Sequence, residues 1–277
     1  EMTQKTRSAP PRAAAMLESL RGLGYSTAAS LADIVDNSIS AGGTEVRIEF
    51  VWDGAHSRIT ILDDGRGMDD GELESALRLG DKSPLDARDA RDIGRFGMGL
   101  KTASFAQCRR LTVASVKDGA QSCLRWDLEE LASRPESDWL LFEGPAKGSN
   151  PYLAPLKGKR SGTLVLWELM DRIVSDGYTA DDFNDLVDNV ESHLAMVFHR
   201  LIQGPRAKFK LLLNGQAVAP WDPFMTGHPA KPWSSPTTNH ATDYGSVAVQ
   251  CHVLPHRDKL TPAEFDENGG PAGWTAQ

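Results

Sequence analysis

Apolar residues recur at helical spacing in some stretches of the chain and alternate with polar ones in others. Ala13 to Arg21 carries the first helical pattern. Ser26 to Ala41 carries a longer one, with Leu31, Ile34, Val35 and Ile39 along one stripe and Gly42–Gly43 to end it. EVRIEFVW (45–52) and RITILDD (58–64) alternate, and the intervening DGAH predicts a hairpin. MDDGELESALRLG (68–80) predicts a helix with Leu73, Ala76 and Leu77 inward, and another helix is expected from about Gly97 to Cys108. Between them, residues 81–94 are charged and without a period, which reads as a mobile segment. LTVASV (111–116), SCLRWDL (122–128) and GTLVLWEL (162–169) read as strands. Residues 133–160, rich in Pro, Gly and Lys, read as an excursion. A long helix is predicted over 181–202, then strands at KFKLLLNG (208–215) and SVAVQCHVL (246–254).

Helices, a hairpin, more helices and then strands do not make the alternating βαβ order of a doubly wound parallel sheet. An α+β fold is expected, a mixed sheet with helices layered on one face. The end of the long helix suggests a boundary near 204, with one domain over 1–203 and a second over 204–277.

Composition narrows the class. Hydrophobic residues make up 40% of the 277 and charged residues 25%, ordinary for a globular chain. Cys108, Cys123 and Cys251 form no CxxC pair, which argues against a disulfide framework and a cysteine-rich zinc site. No apolar run approaches the roughly 18 residues a membrane span needs, and no signal peptide is visible, so a cytoplasmic protein is expected. The net charge of −8 creates no general attraction for nucleic acid, and the Lys157–Arg160 run reads as a solvated loop.

Three stretches carry candidate chemistry. In LADIVDNSIS (31–40), Asp33 and Asn37 lie four apart and share one helix face. The amide oxygen of Asn37 is a hard neutral ligand for Mg²⁺, suited to a site whose negative charge comes from substrate phosphates. A carboxylate one turn earlier can take a proton from an attacking water. In ILDDGRGM (61–68), Asp63 could accept the exocyclic amino group of adenine, and Gly65 and Gly67 would let a flat base approach the backbone. In GRFGMGLKTASF (94–105), Gly94, Gly97 and Gly99 lie at a helix start, where N–H groups attract anions, and Lys101 adds a positive charge. That spacing is neither a Walker A loop nor GxGxxG. Each stretch alone also reads as a solvated helix face, a turn or a hinge.

In this order and setting the stretches resemble the GHKL ATPases, the superfamily of the DNA gyrase B subunit, the ninety-kilodalton heat-shock chaperone, sensor histidine kinases and mismatch-repair MutL. Asp33 and Asn37 match the family's N-box, Asp63, Gly65 and Gly67 its DxGxG adenine box, and Gly94, Gly97 and Gly99 its glycine-rich lid. Gly162–Thr163 matches the last box, in which a Thr hydroxyl supports the adenine-binding Asp. The resemblance covers roughly residues 12–203. It implies a Bergerat-type α/β sandwich that binds ATP and Mg²⁺. Asp33 would be the general base, Asn37 the metal ligand, and Met68 and Phe96 further nucleotide contacts. The wording GRFGMGLKTAS and the segment around Lys82 and Ser83 are closest to the MORC-like branch, and NGQAVAPWDPF (214–224) resembles the turn into its transducer-like domain. That branch implies a nucleotide-dependent homodimer, a molecular clamp, and roles in DNA-related or anti-phage processes. DNA as a partner finds no support in the charge.

Two departures bear on activity. The family's base is usually Glu; Asp33 is shorter by one methylene, about 1.5 Å. The family's catalytic Lys from the second domain is not identifiable before Gln277, so the chain reads as a fragment with weak hydrolysis. The alternative is a nucleotide-gated scaffold with negligible hydrolysis. A kinase reading lacks a phosphoacceptor helix pair, and His193 and His199 read as ordinary helix residues.

Overall fold

A computed structural model describes residues 7, 11–80, 99–134, 139–205, 207–243 and 245–268. The chain divides into two compact units, Glu1–Ala219 and Pro220–Gln277. In the first, α1 (Ala13–Leu20) and α2 (Thr27–Ser40) precede the hairpin β1 (Glu45–Val51) and β2 (Arg58–Asp63). Next come α3 (Asp70–Leu77), α4 (Gly99–Phe105), β3 (Arg110–Lys117), β4 (Ala120–Asp127), α5 (Leu128–Ala132) and β5 (Phe142–Glu143). After β6 (Gly162–Glu168), α6 (Ala180–Val197) and α7 (His199–Ile202), β7 (Lys210–Leu213) and β8 (Gln216–Ala217) close the unit.

The strands form one sheet in the order β5-β4-β3-β6-β2-β1-β7-β8. Its β1–β7 pair is parallel and the remaining pairs are antiparallel, so the sheet is mixed and the fold is α+β. Register shows which face the helices cover. Phe50, Ile59, Trp167, Leu111 and Trp126 lie opposite one another across five strands and so share a face. From that face Phe50 meets Phe183 of α6, the Trp167 indole N–H donates to Ser104 Oγ of α4 at 2.9 Å, and that of Trp126 to the Leu77 carbonyl of α3 at 3.0 Å. Asp63, two residues on from Ile61, meets Ser38 of α2. Helices α2, α3, α4 and α6 therefore pack on one face, as expected.

The other face is not bare. Ala114, Val116, Leu164 and Leu166 are buried there against Leu153 and Leu156 of a 3-10 turn spanning Asn150–Leu156. The excursion read from composition thus covers the centre of the sheet. Strand β3, buried from Leu111 to Val116, is the result.

Three expectations change. The long helix breaks at Phe198, whose ring turns into the core and packs on Phe209 at 6.5 Å between centroids. The first unit runs past 203–204 to Ala219, because β7 buries Leu211, Leu212 and Leu213 beside β1. SVAVQCHVL is two strands. In the second unit β9 (Trp233–Ser234), β10 (Thr238–Thr242), β11 (Gly245–Val249) and β12 (His252–Val253) precede α8 (Pro262–Glu267). β11 pairs with β10 and β12 with β9, and the break falls where Gln250 Nε2 and the Cys251 N–H bond Ser235.

Candidate functional site

Strand β2 runs into two adjacent aspartates with different tasks. Asp63, on the helix-covered face, is 9% exposed. Its Oδ1 accepts the Gly65 N–H at 2.8 Å and the Thr163 N–H at 3.2 Å, and its Oδ2 accepts the Ser38 hydroxyl at 3.0 Å. Burial raises its proton affinity above the ordinary carboxylate value, and these three donors oppose it without reversing it. Asp64 faces the other way and braces the α2–β1 turn, accepting from the Thr44 N–H at 2.7 Å, the Glu45 N–H at 2.9 Å and the Thr44 hydroxyl at 2.6 Å. Burial works against ionisation there too, but these bonds hold its carboxyl below the ordinary value.

The glycines around Asp63 have a tightly packed backbone to thank. A Cβ on Gly67, at φ +70°, would stand 1.8 Å from the Val116 carbonyl of β3. One on Gly162, at φ +134°, would stand 2.5 Å from the Asp63 carbonyl. In both places the backbone that approaches is a neighbouring strand, so the fold by itself already demands glycine there.

Thr163 supports Asp63, but through its backbone N–H; its hydroxyl lies 2.9 Å from Ser115 Oγ. Ser115 Oγ also accepts the Met68 N–H at 2.8 Å, fixing the turn that follows Asp63. Ser38 and Ser115 were missed as site residues. Both carry a signal: each is polar at a position where the period demands an apolar residue, Ser38 after Leu31, Ile34 and Val35, Ser115 after Leu111 and Val113. Ile39, expected in the α2 stripe, is only half-buried, and Ser38 takes the buried place.

Through Ser38, helix α2 rests on Asp63. Asn37 is exposed and Asp33, one turn earlier, is half-buried. Burial and the neighbouring Asp36 carboxylate both raise the proton affinity of Asp33. Ser26 caps the start of α2 by accepting the Ala29 N–H at 3.2 Å.

Gly99 opens α4 in open space. Lys101 is 2% exposed, and its Nζ donates at 2.7 Å to the Arg78 carbonyl at the end of α3. A helix C-terminus offers orphan carbonyls and negative potential, and the amine takes that place. Gly94, Phe96 and Gly97 lie outside the described residues, as do Lys82 and Ser83. His199 begins α7, with Nδ1 2.6 Å from the Met196 carbonyl. Among the described residues no helix is long and apolar enough to cross a membrane.

A buried strand-end carboxylate is thus braced from the next strand and from a helix that also carries Asp33 and Asn37. Residues 25–163 match the family described as histidine kinase-, DNA gyrase B-, and HSP90-like ATPase, and the chain belongs to that family. It is 38% identical over 249 residues to the DNA mismatch repair protein MutL of Rhodospirillum rubrum, covering 84% of this chain and 39% of that protein. Over 95 residues it is 32% identical to ATPase morc-1 of Caenorhabditis elegans, covering 34% of this chain and 11% of that protein. Over 100 residues it is 31% identical to ATPase MORC2 of Homo sapiens, covering 34% of this chain and 9% of that protein. MORC ATPases are thus among its relatives, and the chain spans well under half the length of each of these proteins.

Proposed function

We propose that this chain binds ATP with Mg²⁺, hydrolyses it slowly, and uses the bound nucleotide to drive dimerisation and a change of conformation. The observation that carries the reading is the occupancy of Asp63. An ionised carboxylate has about four acceptor positions. Three are taken by Gly65, Thr163 and Ser38, leaving one for a single further donor such as the adenine amino group. Met68 and the Gly65–Gly67 turn would line the base. Asn37 is exposed on the α2 face, so its amide oxygen can join Mg²⁺. The ion would supply charge neutralisation along the phosphates. Asp33 would take the proton of the attacking water, and its raised proton affinity moves it in the direction a general base requires. Gly94, Phe96, Gly97 and Gly99 would contact the nucleotide, and Lys101 would reach the phosphates by giving up the Arg78 carbonyl.

Residues 220–268 would begin a transducer-like domain. The MutL relative is named for DNA mismatch repair, and a MORC-like clamp acting in DNA-related or anti-phage processes extends the same reading. A cytoplasmic setting belongs to the same reading. One observation favours a second reading, a nucleotide-gated scaffold with negligible hydrolysis: Asp33 stands where a longer Glu is usual, and a base about 1.5 Å short loses reach.

Calorimetric titration with a non-hydrolysable ATP analogue, with and without Mg²⁺, tests the pocket. Asp33→Asn should lower single-turnover hydrolysis by about 10²-fold or more while leaving analogue affinity within about threefold. Equal loss of both would remove Asp33 as the base; magnesium-dependent binding with no hydrolysis in the parent would leave the scaffold.

A further inference from the structure

We infer that Gln107 is a positioning residue, a buried clasp that sets helix α2 against helix α4. Gln107 follows α4 closely, its backbone N–H still bonded to the Ser104 carbonyl at 2.9 Å. Its side chain is 2% exposed and spends its amide on the first turn of α2. Nε2 donates to the Tyr25 carbonyl at 2.9 Å and to Ser30 Oγ at 3.0 Å, while Oε1 accepts the Thr27 hydroxyl at 2.7 Å. Ser30 is fully buried and Thr27 nearly so.

These are the two helices that matter to the proposed chemistry. α2 carries Asp33 and Asn37; α4 begins with Gly99 and holds Lys101. An amide with three satisfied bonds, two of them fully buried, favours one spacing, since any slide leaves buried donors and acceptors unmatched. The same end of α4 is pinned from other directions. Arg21 Nε donates to the Phe105 carbonyl at 3.0 Å, and Trp167 binds Ser104. Of these anchors, Gln107 alone reaches α2, so it fixes the base and metal ligand relative to the glycine-bearing helix. An apolar pair of the same volume would pack α2 on α4 equally well without setting a register.

The inference rests on the ATPase reading, and the test separates the two. Single-turnover hydrolysis, analogue affinity and melting temperature are measured for the parent chain, Gln107→Leu, Thr27→Val and Thr27→Ser. A misplacement of about 1 Å costs about 10²-fold in rate. Gln107→Leu should therefore slow hydrolysis by about ten- to a hundredfold with affinity within about threefold. Thr27→Val should move the rate the same way by less, and Thr27→Ser, which keeps the hydroxyl, should restore it. Should Gln107→Leu fail to fold, the Thr27 pair decides. Variants that match a hydrolysing parent, or that lose rate and affinity together in step with melting temperature, overturn the clasp alone. A parent that neither binds nor hydrolyses ATP removes both readings.

Discussion

LTVASV in β3 and SVAV in β11 are nearly the same words: valines, an alanine and a serine in strand-forming order. Their fates differ. β3 sits between β4 and β6, with Leu111 and Val113 facing the helices and Ala114 and Val116 facing the 3-10 turn. Every described residue of β10 and β11 is exposed, Val247 at 51%. What differs is the company. A strand with a neighbour on each edge and a layer on each face becomes core; one with a single neighbour stays at the surface. Burial is a property of the assembly, and a strand's own residues only make it possible.

Two glycines give the comparison its largest lever. Gly162 opens β6 at φ +134° and Gly245 opens β11 at φ +128°. The backbone demand is the same, about 1–3 kcal/mol for a residue with a side chain. The surroundings are not: an added Cβ meets the Asp63 carbonyl at 2.5 Å in one place and open space in the other. Gly162→Ala should thus add an overpacking cost of about 1–3 kcal/mol and total about 2–6 kcal/mol. Gly245→Ala should stay within about 1–3 kcal/mol. Urea unfolding of both variants measures the gap; equal losses would mean that the close approach at Gly162 relaxes freely. The Gly162 variant should also lose analogue affinity, since the obstacle is the backbone of Asp63 itself.

A smaller contrast comes from deleting side chains. Leu111 is fully buried, and Leu111→Ala should cost about 2–5 kcal/mol. Val249 is 43% exposed, and Val249→Ala should stay within about 0.5 kcal/mol. A Val249 effect of core size would mean that this face of the hairpin is covered in solution.

The same logic explains what could be read from the chain beforehand. The helix α2 came out within a residue of its expected ends, because Ser26 caps it, Gly42 follows it and its stripe is regular. The ladder β1–β2 was legible by its period of 2 and its clear turn, and β3, β4 and β6 as short strand-forming runs. The break at Phe198 was not, because Phe198 continues an apolar helical pattern, and its packing on Phe209 is a tertiary contact that the local pattern does not carry. Nor was the second unit's pairing, where SVAVQCHVL divides between β10 and β9. Spacing marks Asp63 and Asn37 as candidates and no more. That Thr163 serves by its N–H, and that Lys101 is turned to Arg78, are facts of geometry that no spacing carries. Gln107 looked like any polar residue past a helix end; its partners lie some eighty positions earlier in the chain.

The most delicate test sets one carboxylate from each unit against the other. Asp63 is buried, and burial raises its proton affinity above the ordinary 3.8. Glu264 is exposed. It accepts the Thr261 N–H in the capping box of α8 at 2.7 Å and lies 3.1 Å from His228 Nε2, and these hold it below the ordinary 4.5. The signs are opposite. The folded state holds the Asp63 proton more tightly than the unfolded state, so the stability this gives is complete below pH 3.8 and is lost as pH rises through the higher folded value. Glu264 contributes stability above pH 4.5 that is lost as pH falls through its lower folded value. Carbon-detected NMR titration of the two side chains reads both directions. The Asp63 result bears on function as well, because only its ionised form accepts without offering a proton. Analogue affinity should fall on acidification while the pH is still above 3.8, and Asp63→Asn should abolish that dependence along with most of the binding. An Asp63 that titrates at or below 3.8 would mean that its three donors outweigh its burial, and the fall in affinity above that pH would not be seen.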